Sequence, residues 1–175
     1  MQCGMQSKQN QNLRIDLTVA NFEIDFINET EVEVQESRLI ETATFAMSSL
    51  RLHPETELSI ACVDLVEMER LHIEYMDEPG ATDVLSFPMD DLEIPAEGKT
   101  AEPGILGDII LCPEFAHKQA MEASNAFEAE MDMLLVHGVL HLLGHDHQEP
   151  EEHAVMFGMQ NTILADLKVF RESGK

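Results

Sequence analysis

Apolar residues recur along this chain in two rhythms, a twofold alternation in short runs and a three-to-four spacing in longer ones. The first belongs to half-buried strands, the second to helices with one buried face. Ile15, Leu17 and Val19 alternate within Arg14 to Val19 and predict a strand. An acidic stretch from Glu23 to Glu36 follows. Leu39, Ala43, Ala46, Met47 and Leu50 then predict a helix from about Thr30 to Leu52, ended by His53-Pro54. Leu58, Ile60 and Cys62 alternate as a second strand. Asp64 suits the N-cap of a helix through Glu67, Leu71 and Tyr75, with Pro79-Gly80 as its stop.

Thr82 to Pro88 (TDVLSFP) reads as a short strand closed by proline, and Met89 to Pro103 as a mobile acidic loop. Ile105 to Leu111 (ILGDIIL) is an apolar run of strand length. Asp108 in its middle is an anomaly unless it faces a site or an edge. Pro113 fits the first turn of a helix reaching about Ser124. Asn125 and Glu128 have the spacing of a capping box for the next helix, which carries His137 and His141. Pro150 starts a last helix with Met156, Ile163, Leu167 and Phe170 as its buried stripe. The order predicts an α+β fold, a small mixed sheet of about four strands packed with about five helices. Residues 1–13 read as a flexible polar leader and 14–175 as one domain, without internal repeats.

Composition narrows the function. The apolar fraction of 44% is that of a globular protein, and no apolar run is long enough to span a membrane. Three scattered cysteines, none at CxxC spacing, argue for a reducing compartment and against a cysteine zinc site. The net charge of −24 taken alone argues against a nucleic-acid binder, and no Lys or Arg lies between Lys118 and Lys168. A polyanionic substrate then has to be met by a metal, by distant basic residues or by a partner.

That gap contains the densest chemistry of the chain, HGVLHLLGHDH from His137 to His147. His137 and His141, four apart, lie on one helical face. Gly144 can end the helix in the left-handed conformation and return the chain, bringing His147 round as a third nitrogen. Three imidazoles with an open fourth position make a catalytic type of zinc site. His145, beside the turn, reads as a solvent-side neighbour, and Asp146 as either an orienting partner of an imidazole or a local cap. The His-x3-His-x5-His spacing is that of metzincin proteases, but Gly138 stands where those enzymes carry their general-base Glu.

HGVLHLLGHDH, together with TDVLSFP and LGDII upstream, resembles the YbeY family of metal-dependent endoribonucleases over about Leu17 to Phe170. The resemblance implies a compact α+β fold with a zincin-like helix and one Zn2+ per chain held by His137, His141 and His147. It also implies single-strand-specific cleavage in maturation of the 3′ end of small-subunit ribosomal RNA and in ribosome quality control. The implied setting is the cytoplasm, with ribosomal RNA, the small subunit and assembly factors as partners, a ribosome-assembly GTPase being one candidate. Neither DNA nor a membrane is expected.

Catalysis is expected through His137 and His141, by way of a water on the metal or a 2′-hydroxyl activated by it. Asp83, Ser86 and Asp108 form a second tier that lines the cleft; strand-end capping and turn bonding are their alternative roles. Two departures stand out. His72 and Met76 occupy positions where many members have Asn and Arg, leaving Arg70 or Lys99 as the substitute cation, and the surface is strongly acidic. A ribosome-assembly adaptor with a structural zinc, and another metal hydrolase, are the competing functions.

Overall fold

Four strands and five helices follow one another along residues 21–174, the part of the chain that the computed structural model describes. The order is β1 (Glu23–Asn28), α1 (Glu36–Ser49), β2 (Glu57–Cys62), α2 (Leu65–Met76), β3 (Val84–Pro88), β4 (Ile105–Leu111), α3 (Pro113–Ala123), α4 (Phe127–Leu142) and α5 (Pro150–Glu172). The sheet runs β1-β2-β4-β3, with β1, β2 and β4 mutually parallel and β3 antiparallel to β4. The fold is α+β with a mixed four-stranded sheet, as the pattern predicts.

Alternation along the strands divides the sheet into two faces. Ile24, Phe26, Leu58, Ile60 and Ile109 enter the main core with residues of α1, α4 and α5. Val63, Met68, Leu71, Leu85 and Cys112 form a smaller cluster, with Phe87 and Ile110 packed against it. A bulge between Glu57 and Leu58 on one strand and Ile105 and Gly107 on the other resets the register. Leu106 and Ile109 therefore both reach the main core. Gly107, at φ +142°, is required there, because a Cβ would lie 2.2 Å from the Phe87 carbonyl oxygen.

Helix α4 runs through the middle. Its apolar residues surround it almost completely, because α1, α3, α5 and the sheet all pack against it. Two acidic residues, Glu130 and Asp132, are buried among them. Asp132 is 4% exposed and accepts bonds from Thr42 Oγ1 (2.6 Å), Arg38 (2.6 Å) and Arg171 (2.7 Å), which ties α1, α4 and α5 together. Arg171 also pairs with Glu41 at 2.8 Å.

Three local expectations change and one falls where nothing is described. The strand predicted over Arg14 to Val19, like the leader, lies outside the described residues. Glu23–Asn28, expected to be only acidic, is β1: Ile24 and Phe26 face the core while Glu23 and Asp25 take the other side. Helix α1 begins at Glu36 rather than near Thr30, because Asn28, Thr30 and Val32 close a local turn through Asn28 Nδ2 to the Val32 carbonyl (2.9 Å) and Thr30 Oγ1 to Asn28 Oδ1 (2.8 Å). No capping box forms at α4, whose N-cap is Ala126 without a side-chain bond. The Asp64 cap of α2 does form, accepting the Glu67 N–H at 2.8 Å, and α2 stops at a left-handed Asp77 just before Pro79-Gly80.

Candidate metal centre

The last turns of α4 and the loop after it build the centre. His137 and His141 fall on one helical face, and Leu143 then caps the helix. The Gly144 N–H bonds to the His141 carbonyl (3.0 Å) and the His145 N–H to the Leu140 carbonyl (3.1 Å), a Schellman closure with Gly144 at φ +83°. The chain so reversed carries His147 back over the helix end. Its ring centroid lies 5.6 Å from that of His137 and 5.3 Å from that of His141. One nitrogen from each of the three residues falls within 4.8 Å of the others, so the cluster could hold a metal ion.

The donors suit a divalent ion. His137 Nδ1 donates to the Gln160 side-chain oxygen at 2.8 Å, which leaves its Nε2 with a free lone pair. That Nε2 stands 3.0 Å from His141 Nε2, a convergence satisfied by a proton or a cation. Two nitrogens on a tetrahedral zinc stand about 3.3 Å apart, so little movement is needed. Burial lowers the pKa of both His137 and His141 from 6.5, and the neighbouring imidazoles lower them further. Both rings are thereby kept neutral near pH 7, the form that ligates.

Gln160 is a further residue in contact with the centre, and none of the sequence motifs includes it. It is 3% exposed on α5, between Met156 and Ile163 of the buried stripe. A polar residue at an otherwise apolar position of that stripe is the signal that marks it. Phe157, also on α5, sets its ring edge-on to His137 at 5.7 Å and to His147 at 6.2 Å.

Gly138 has a steric explanation. A Cβ at this position would meet Ile109 side-chain carbons at 3.1 Å and Ser86 Oγ at 3.2 Å. The first His is followed by glycine because α4 lies directly on β3 and β4. A glutamate, as in metzincins, would have to push the Ile109 and Ser86 side chains aside.

The second-tier residues separate. Asp83 accepts from the Val84 N–H (2.8 Å) and from Gln119 Nε2 (3.0 Å), and its charge opposes the lowering of the His137 pKa. It is the one of the three whose charge reaches the centre. Ser86 Oγ bonds to the Gly138 carbonyl at 3.4 Å, joining β3 to the His-bearing helix. Asp108 pairs with Ser59 and Phe87 in the sheet and lines an open groove of about 480 Å³ with Asp25, Ile27 and Ala61. Its strand neighbour Ile109 is the residue that meets Gly138, so Asp108 points to the opposite face of the sheet from the histidines.

The substitute cations are also placed. Arg70 is held on exposed α2 by Glu67 (2.7 Å) and by Glu74. His72 Nδ1 is 2.8 Å from the Gly80 carbonyl, which anchors the loop into β3. Met76 and Lys99 are exposed, and Lys99 is in the loop before β4. His145 lines a shallow cleft with Asp146, Glu151 and Glu152 and is not one of the three converging residues.

Comparison with known proteins places this architecture. A family model described as Endoribonuclease YbeY matches residues 23–168. An Endoribonuclease YbeY of Thermobifida fusca is 51% identical over 142 residues, 81% of this chain and 92% of the relative. One from Streptomyces griseus is 51% identical over 144 residues, 81% and 87% of the two chains. The solution structure of TM1509 from Thermotoga maritima superposes with a TM-score of 0.56 at 25% identity, covering 86% of this chain and 93% of that one. The matched span runs from β1 into α5 and contains the whole three-histidine centre, so this chain belongs to the YbeY endoribonuclease family.

Proposed function

We propose that this protein is a zinc-dependent, single-strand-specific endoribonuclease. Its substrate is the 3′ end of small-subunit ribosomal RNA, in maturation and in ribosome quality control in the cytoplasm. The small subunit is its partner, and a ribosome-assembly GTPase is a candidate second one. The observation that carries the reading is the convergence of His137, His141 and His147 in a chain of this family. All three ligands are imidazoles and none is an anionic side chain, so a divalent ion keeps its full charge. When bound, that ion supplies Lewis-acid stabilisation at the phosphoryl group and makes water more acidic.

The protein's own groups do the rest. Gln160 fixes the His137 tautomer, and burial keeps His137 and His141 unprotonated. Asp83, held by Val84 and Gln119 and electrostatically coupled to His137, is the carboxylate placed to orient a proton at the centre. Ser86 acts indirectly, by seating α4 on β3. Asp108, on the other face of the sheet, is left out of this scheme.

An acidic protein with few free cations reaches RNA best when a partner presents it. Among the described residues Arg38, Arg70 and Arg171 are ion-paired. This supports ribosomal presentation of the substrate and is also the observation that favours the assembly-adaptor reading. Single-stranded ribosomal RNA incubated with the zinc-loaded protein, with and without small subunits, separates the two. Cleavage that needs subunits supports the proposal, and stoichiometric zinc without cleavage in either condition supports the adaptor.

A further inference from the structure

We propose that His153 and Phe157 form a stacking platform for one unpaired nucleobase of the RNA, beside the three-histidine centre; this rests on the endoribonuclease reading above. The two residues stand four apart on α5, and their rings stack at 4.2 Å between centroids and 16° between planes. Phe157 is half-buried and braced edge-on by His137 and His147, so its position is tied to the centre. His153 is exposed. Its ring lies on Phe157 with one face and leaves the other for a ligand. Two ring-to-ring steps, 4.2 Å and 6.2 Å, connect His153 to His147. A base on His153 therefore belongs to a nucleotide close to the one at the centre.

Packing alone explains this pair less well than the other stacked pair among the described residues. His117 on Phe127, at 3.7 Å and 2°, joins α3 to α4, and Phe127 packs against the main core. His153 and Phe157 belong to one helix, so their stack joins no two elements, although Phe157 itself touches His137 and His147.

Electrostatics points the same way. Glu149, Glu151 and Glu152 flank His153, and no Lys or Arg occurs between Lys118 and Lys168. The stretch that carries the centre and the start of α5 therefore offers no Lys or Arg of its own for the phosphate contacts that dominate most nucleic-acid affinity. Stacking of a base on an aromatic ring is indifferent to that charge and contributes roughly 5- to 150-fold in affinity per base. It also needs the base out of a duplex, so the platform would itself select single strands.

The test uses zinc-loaded wild type, His153→Ala and His153→Tyr with short single-stranded RNAs carrying 2-aminopurine at successive positions. Wild type and His153→Tyr are expected to quench the fluorophore at one position through stacking. His153→Ala should lose the quench and raise KM roughly 5- to 150-fold, with kcat changed by no more than about twofold and zinc stoichiometry intact. A wild-type KM and quench in His153→Ala, with cleavage intact, overturns the platform alone, as does a His153→Tyr as impaired as His153→Ala. A wild type that binds and cleaves none of these RNAs, with small subunits present as well as without them, overturns the endoribonuclease reading and the platform with it.

Discussion

His137 Nδ1 and the side-chain oxygen of Gln160 lie 2.8 Å apart, across the packing of α4 against α5. The bond selects the tautomer that aims the His137 Nε2 lone pair at His141 and His147. Gln160→Leu preserves the size and the apolar stripe and removes only the acceptor. Zinc affinity measured by chelator competition should fall about 10- to 100-fold, with the fold retained. Unchanged affinity would remove Gln160 from the site.

Gly138 sits where α4 touches the sheet most closely. Alanine there gains up to about 1 kcal/mol of helix propensity but must displace Ile109 and Ser86. Overpacking of a tight core costs about 1–3 kcal/mol, so Gly138→Ala should be neutral to destabilising in urea unfolding. Gly138→Glu should be clearly destabilised and should not acquire peptidase activity. A stable Gly138→Glu would show that the helix has room to move.

These two residues show what the sequence makes legible. The three histidines could be read directly, because helical spacing and a terminating glycine dictate where their side chains go. Gln160 contacts His137 from twenty-three residues away, and only a polar interruption in a buried stripe hints at it. Strand β1 was hidden because Glu23 and Asp25 fall on its other side, and that acidity outweighed the alternation of Ile24 and Phe26. Asp108 was correctly anomalous in an apolar strand, yet its face depends on the bulge at Gly107, which shifts the register by one residue. Such a shift sends a side chain to the opposite side of a sheet. Local spacing was readable; tertiary register was not.

Asp132 is the buried charge on which three helices converge. Its side chain is 5% exposed and satisfied by Arg38, Arg171 and Thr42. Removing one partner of a buried ion network leaves the others uncompensated, which costs about 3–5 kcal/mol. Asp132→Ala should lose about that much in urea unfolding. Replacing Arg70, whose pairs with Glu67 and Glu74 are exposed on α2, should change stability little. Equal effects would contradict the distinction drawn between the two clusters.

The pH response has a definite sign. Burial lowers the His137 and His141 pKa values from 6.5. Between those lowered values and 6.5 the unfolded chain binds more protons than the folded one, so stability rises with pH across that window. Their contribution in the metal-free protein is complete above 6.5 and is lost as pH falls through the window. Zinc affinity should decline in the same direction, because protons compete for the same nitrogens. Urea midpoints of the metal-free protein from about pH 7.5 to about pH 5.5 measure this, and His137→Asn with His141→Asn should flatten the slope.

The most direct measurement pairs zinc content with RNA cleavage for wild type and His141→Ala, each with single-stranded ribosomal RNA and small subunits. Wild type should bind one zinc per chain and cleave, and His141→Ala should lose both together while remaining folded. Cleavage by a folded His141→Ala protein that holds no metal would contradict the three-histidine centre as the seat of the activity.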